Sequence, residues 1–287
     1  MNGILLVNKP KNMTSRDVVN ILSKKFNTRH IGHTGTLDPI ATGVMGIAIN
    51  DGLKIVDMLI NDTKEYIATV KMGIDTDTLD VTGNILNEVN GFSLTEKKLK
   101  KVLSTFLGKS IQEVPLYSAL KVNGKRLYEY ARKNEEVTLP KREIEVFDIE
   151  LINFKNDEFS FRVKVSKGTY IRSLIRDIGQ KINIPCAMKE LIRTKQGDFK
   201  IENSYTIDEI KNNHYTLISI TEALKDYPMI EVDDYIAKKI SNGRILENRY
   251  NSDIIVFINS QKEVLAIYKV YEKDSTKVKP IKVFQNM

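Results

Sequence analysis

Between Gly32 and Gly43 the chain reads Gly32-His33-Thr34-Gly35-Thr36-Leu37-Asp38-Pro39-Ile40-Ala41-Thr42-Gly43, a stretch that restricts its own backbone tightly. Pro39 locks its own φ, and its ring crowds the residue before it, which pushes Asp38 towards extended geometry. The glycines permit positive φ and close backbone approach. Such a loop can hold one acid in one place, beside an imidazole and three threonine hydroxyls. Spacing alone leaves three readings open: a catalytic loop, a plain Asp-Pro turn, and a metal site on His33 and Asp38. The metal reading is the weakest, because the chain carries three histidines and one cysteine and the loop has few other carboxylates.

The pattern around the loop predicts a mixed chain. Gly3 to Val7 reads as a buried strand, and Thr14 to Phe26 as a helix with Thr14 and Asp17 forming its capping box. Val44 to Ile49 is a short apolar strand. Tyr66, Ala68, Val70 and Met72 alternate and share one face of another. Ser93 and Glu96 suggest a capping box before a helix with the stripe Leu99, Val102, Leu103, Phe106 and Leu107. Lys97, Lys98, Lys100 and Lys101 fall on its solvated side. Ile144 to Phe154 and Glu158 to Val165 read as paired strands about Asn156-Asp157, and Ile171 to Ile182 keeps helical spacing.

A boundary is expected near Tyr227-Pro228, dividing the chain into residues 1–228 and 229–287. The second part shows short strands, Ile254 to Ile258, Val264 to Tyr271 and, after Pro280, Ile281 to Phe284. It reads as a small β-rich domain near the lower size limit for folding alone. Forty-four Lys and Arg against thirty-seven Asp and Glu give a net charge of +7, which suits a polyanionic partner such as nucleic acid. The lone Cys186 leaves no intramolecular disulfide. The apolar start, Met1 to Val7, is too short for a signal peptide core, and no long apolar run follows; the expectation is a soluble cytoplasmic protein without membrane contact.

Several blocks, taken in order, resemble the bacterial tRNA pseudouridine-55 synthases. They are Lys9-Pro10 with Thr14-Ser15, the Gly32 to Gly43 loop, Lys64-Glu65-Tyr66, Gly73 to Thr78 with Asp80 and Gly83, Gln112 to Arg132, Ser166 to Arg172, and Leu191 to Thr194. Asn12 stands where the family usually has glycine; Asn tolerates positive φ, so the turn can survive. One basic residue of the last block is lost. The resemblance implies an α+β fold: a mixed, mostly antiparallel sheet flanked by helices. It implies conversion of uridine to pseudouridine at position 55, in the T-loop of elongator tRNAs. A second role in tRNA folding is compatible with it.

That reaction breaks the N1–C1′ bond, turns the base and joins C5 to C1′. It is redox-neutral and consumes no water, so the resemblance implies no cofactor and no metal. It also implies that Asp38 is the catalytic carboxylate, either attacking C1′ or removing the 2′-proton on the way to a glycal. Arg172 is implied as its ion-pair partner, since a bidentate guanidinium orients a carboxylate. Tyr66, Tyr170 and Leu191 are implied as pocket walls, with Tyr66 stacking on the extracted uracil. A buried base must leave its stack before chemistry can reach it, and His33 is implied as filler of the gap. Lys121, Lys125, Arg126, Arg132, Lys133, Lys141 and Arg142 interleave with Tyr117, Tyr128 and Tyr130, a pattern suited to RNA backbone and stacking contacts. Ser241-Asn242-Gly243-Arg244 weakly resembles part of the PUA-like β-barrel that follows the family's catalytic domain and would hold the tRNA acceptor end. The expected partner is tRNA alone, bound by a monomer with no obligate protein partner. The rival classes are a non-catalytic RNA-binding protein and a glycosidic hydrolase; the hydrolase needs a second carboxylate, and the matched blocks nominate none.

Overall fold

The computed structural model describes residues 1–59 and 63–284; the last residues of the expected second domain, 285–287, lie outside the described residues. The larger part is built on a nine-stranded sheet. Its main order is Gly3–Lys9, Thr42–Ile49, Cys186–Gln196, Lys64–Met72, Glu158–Val165, Lys141–Lys155 and Gly108–Glu113. Ile31–His33 adds to Thr42–Ile49, and Phe199–Lys200 to Cys186–Gln196. The described pairings in this sheet are antiparallel except where Ile192 and Arg193 run parallel to Thr42 and Gly43. The fold is therefore mixed α+β with a mostly antiparallel sheet, as expected.

Strand and helix positions follow from side-chain period. Tyr66, Ala68, Val70 and Met72 are all buried on one face of Lys64–Met72, against Leu174, Ile175, Ile178 and Ile182 of the helix Ile171–Ile182. Asn183 ends that helix in the left-handed region, which Asn tolerates. In a separate core cluster the helix Ser15–Lys25 places Val18, Val19 and Leu22 against Leu5, Val7, Met45 and Ile47. Thr14 caps it, and the Thr14–Asp17 capping box is present as expected.

Two local expectations change. The helix expected after Ser93 spans Glu96–Ser104, and Thr95 caps it by accepting from the Lys98 amide; Ser93 does not. Thr95 sits directly before the first helical residue, so its hydroxyl reaches an unpaired first-turn amide. Leu99 and Leu103 are buried, whereas Leu107 lies beyond the helix end and is exposed, just before Gly108 turns at positive φ. The final strand is Asp274–Val283 and runs through Pro280, where a restart was expected. Pro280 sits beside a register shift against Ile267 and Tyr268, the kind of irregularity at which a strand accommodates proline.

Residues 229 onward form a five-stranded sheet in the order Met229–Glu231, Ile254–Ile258, Val264–Tyr271, Asp274–Val283, Leu246–Glu247. The helix Asp234–Ser241 packs Ile236 and Ile240 onto Ile255, Phe257 and Tyr268. Among the described residues the two outer strands pair only inward, so this order is open. The other face of this sheet shares one apolar core with the larger part: Val256, Ile258, Val264, Ile267 and Phe284 pack with Ile4, Leu6, Val44, Ala48, Phe199 and Leu224.

Candidate active site

The Thr34–Pro39 loop is held through its carbonyls. Thr34 O accepts from Gln196 Nε2 at 3.1 Å, Gly35 O from Arg193 Nη2 at 3.1 Å and Thr36 O from Arg193 Nη1 at 3.4 Å. Leu37 O accepts from Ser15 Oγ at 3.3 Å, and Asp38 O from the Ala41 amide at 3.0 Å. Pro39 O accepts from the Asn12 amide at 2.8 Å and from Lys9 Nζ at 3.3 Å. Asn12 has φ +65°, the positive φ that its place in the turn was expected to require. Every carbonyl along this stretch thus has a donor, and the donors come from widely separated segments. Such a loop has little freedom to move its carboxylate.

Arg172 meets that carboxylate through two parallel bonds, Nε to Oδ2 at 2.8 Å and Nη2 to Oδ1 at 3.0 Å. It also donates to Thr78 O at 2.9 Å from Nη1 and to Tyr117 O at 3.0 Å from Nη2. The fork geometry of guanidinium suits this double role, which an ammonium could not fill. The arginine side chain is 6% exposed and the aspartate side chain 34% exposed. The pair is therefore anchored from below and open on the carboxylate side, where a substrate can arrive.

Of the other expected residues, Tyr66 and Leu191 pack with the loop, Tyr170 adjoins the Arg172 helix, and His33 lies on the strand before the loop. Tyr66 and Leu191 are buried in the same cluster as Leu37, Ile40, Ala41 and Ile171, so the loop and the central strands share one packed wall. Tyr170 immediately precedes the Arg172 helix. Its backbone is clamped by buried Gln112, which accepts from the Tyr170 amide at 2.8 Å and donates to its carbonyl at 3.1 Å. The Arg142 guanidinium lies 5.4 Å from the Tyr170 ring centroid. His33 pairs with Ile47 at the edge of the sheet, and its Nδ1 is buried without a hydrogen-bond partner. Burial, then Arg193 and Arg16, hold its imidazole below the ordinary value of 6.5.

The basic and aromatic segment adjoins the site through Tyr117. Within it, Lys125 lies over the Tyr130 ring at 4.3 Å and Arg132 over Tyr128 at 5.3 Å. Lys97, Lys98, Lys100 and Lys101 are exposed on their helix, as expected of a solvated face. A cavity of about 670 Å³ lined by Phe199, Tyr205 and Tyr227 holds none of the expected site residues. Its Asp198, Glu202, Glu222 and Asp226 make it unsuited to a phosphate backbone. Among the described residues no group of three or more His, Cys, Asp or Glu is arranged to hold a metal ion, and no helix is long and apolar enough to cross a membrane.

Sequence reasoning had no role for Lys9, Ser15, Gln112, Arg193 or Gln196. All but Gln196 lie in blocks already singled out, so their presence was visible. Their burial was not, because nothing in local spacing distinguishes a buried Arg or Gln from an exposed one.

Residues 23–171 match the family model described as TruB family pseudouridylate synthase (N terminal domain). The chain belongs to the TruB family. Among curated relatives, the Oceanobacillus iheyensis protein named tRNA pseudouridine synthase B is 43% identical over 298 residues, covering 99% of this chain and 98% of the relative. The Clostridium tetani protein of the same name is 42% identical, covering 89% and 91%. A solved Cbf5-Nop10-Gar1 complex contains a chain with TM-score 0.72 and 25% identity, covering 99% of this chain and 84% of that one. An H/ACA ribonucleoprotein bound to a substrate RNA gives the same TM-score at 24% identity, covering 99% and 85%, and shows the fold alone. As a TruB-family member, the protein is a pseudouridine synthase, an isomerase. The Asp38 loop lies within the matched region, and Arg172 directly follows it.

Proposed function

We propose that this enzyme converts the uridine at position 55, in the T-loop of elongator tRNAs, to pseudouridine, with Asp38 as its catalytic residue. The observation that carries this reading is the Asp38–Arg172 pair: a carboxylate held at both oxygens, on a loop whose carbonyls are all engaged, and open on one side. Relatives at 40–43% identity that bear the name tRNA pseudouridine synthase B support tRNA as the substrate.

In this reading the target nucleotide leaves the loop stack and its base enters beside Tyr66, Tyr170 and Leu191, while His33 fills the gap. Asp38 then acts at the sugar, as nucleophile on C1′ or as base on the 2′-proton. Uracil departs through N1, turns within the apolar wall and rejoins through C5. Loss of the C5 proton, assisted by Tyr66, completes the isomerisation. Lys121, Lys125, Arg126, Arg132, Lys133, Lys141 and Arg142 supply phosphate contacts. Residues 229–287 are the PUA-like RNA-binding domain of this reading, whose exposed face holds the acceptor end, and residues 1–228 carry the chemistry. The enzyme works in the cytoplasm as a monomer on tRNA, without cofactor or protein partner.

The test is to incubate the purified protein with unmodified tRNA transcript, map pseudouridine and measure free uracil. The expected result is pseudouridine at position 55 and no released uracil. Released uracil, or modification confined to other positions, overturns the reading.

A further inference from the structure

Arg193 is the largest fully buried side chain in the protein's described residues, and no carboxylate lies within ion-pair distance of it among them. Its guanidinium donates to carbonyls alone: Val44 O at 2.8 Å from Nε, Gly35 O at 3.1 Å from Nη2 and Thr36 O at 3.4 Å from Nη1. Burying a cation without a counter-charge is costly. A leucine or methionine here would remove that cost, yet it would take the donor from the buried Val44 carbonyl and release the Gly35 and Thr36 carbonyls of the loop. What the arginine achieves is geometric: one rigid planar group ties both limbs of the loop that carries Asp38.

The backbone of Arg193 has a second set of neighbours. In the sheet it lies between Gly43 on one side and Tyr66 on the other. The approach to Gly43 is so close that a Cβ there would stand 2.3 Å from Arg193 O. One residue thus has its main chain registered against Tyr66 and its side chain bonded to the loop two to three residues before Asp38. Its charge also reaches this region, since it contributes to lowering the His33 imidazole.

We propose that Arg193 is a positioning residue that fixes the Asp38 loop in register with the strand carrying Tyr66. This rests on the reading of Asp38 and Tyr66 as parts of the active site. Arg193 touches neither substrate nor reacting atoms; it acts through the loop. Displacing a catalytic group by about 1 Å can cost roughly 100-fold in rate while leaving distant binding contacts intact.

The experiment compares wild type, Arg193→Lys, Arg193→Met and Phe257→Leu, the last a core change in the C-terminal sheet that lowers stability without touching the loop. Each is assayed for melting temperature, tRNA KM and single-turnover rate on saturating enzyme. Arg193→Lys keeps the charge but not the three-way fork, and is expected to lose about 10-fold in rate with KM within about threefold of wild type; Arg193→Met is expected to lose about 100-fold. Phe257→Leu is expected to melt lower yet turn over normally. If Arg193→Met does not fold, Arg193→Lys carries the test. A wild-type rate in Arg193→Lys, a loss confined to KM, or an equal rate loss in Phe257→Leu overturns the proposal. Inactive wild-type protein would instead overturn the functional reading beneath it.

Discussion

Asp38 on its loop and Lys9 at the end of the strand Gly3–Lys9, bonded to that loop through Pro39 O, respond to different experiments. Asp38→Asn keeps the size of the side chain but removes its charge and its nucleophile. RNA affinity arises mainly from phosphate contacts and the flipped base, so it should stay within about tenfold, ~1.4 kcal/mol. Turnover should become undetectable, the pattern of a group acting in the transition state. Near-normal turnover in a direct pseudouridine assay would return the loop to a structural turn. Lys9 is fully buried and donates to Pro10 O, Met13 O and Pro39 O. Burial lowers its pKa from 10.5 to about 8, with Asp38 opposing and Arg193 adding to the shift. Between those values the unfolded chain binds more protons than the folded one, so this group makes stability rise with pH. Relative to Lys9→Met, wild type should gain roughly 3 kcal/mol in unfolding free energy from pH 7.5 to 10.5. Urea unfolding of both proteins checks this, and a pH-independent difference contradicts it.

At the level of elements, the decisive event is the parallel contact between Thr42–Ile49 and Cys186–Gln196. Gly43 has φ +108° there, and a Cβ would collide with Arg193 backbone atoms. Gly43→Ala should therefore cost about 3 kcal/mol from backbone strain and overpacking together. It should also slow turnover, because the displaced strand carries Arg193. A thermal melt and a rate measurement check both, and an unchanged melt removes the argument. The long periodic elements were legible beforehand: Ser15–Lys25 with its Thr14 cap, Lys64–Met72, and Ile171–Ile182 with its apolar stripe. Boundaries were less so. Ser93 and Thr95 both have capping hydroxyls, and only the helix start at Glu96 chooses between them. Pro280 looked like a strand break, and only the register shift against Ile267 and Tyr268 lets the strand continue through it.

For the whole molecule, the shared core between the two sheets changes what a truncation would report. Removing residues 229–287 would uncover Ile4, Leu6, Val44 and Phe199. Each newly exposed large side chain costs about 1.5–3 kcal/mol. The truncated chain should therefore melt far lower or aggregate, and a wild-type melting temperature would show that the shared core contributes little. A cleaner probe of the acceptor-end contact is Lys238→Glu with Arg244→Glu, both exposed. Binding of full-length tRNA should weaken and its salt slope should shrink by about 1 to 2, while an isolated T-arm stem-loop binds as before. Equal losses on both RNAs would contradict acceptor-end contact. The sequence by itself determined the helices and strands with strong period, the basic balance, and the loop that restrains Asp38, because these depend on neighbours along the chain. The tertiary structure decided the geometry by which Arg172 grips Asp38, a pairing the resemblance had implied, and it alone decided that Lys9, Arg193 and Gln196 are buried beneath the loop and that the C-terminal sheet shares a core with the rest. Those outcomes depend on segments far apart in the chain meeting in one register, 30 positions for Lys9 and Pro39 and more than 130 for Arg172, Arg193 and Gln196 against the loop, and burial of a polar side chain is set by that meeting.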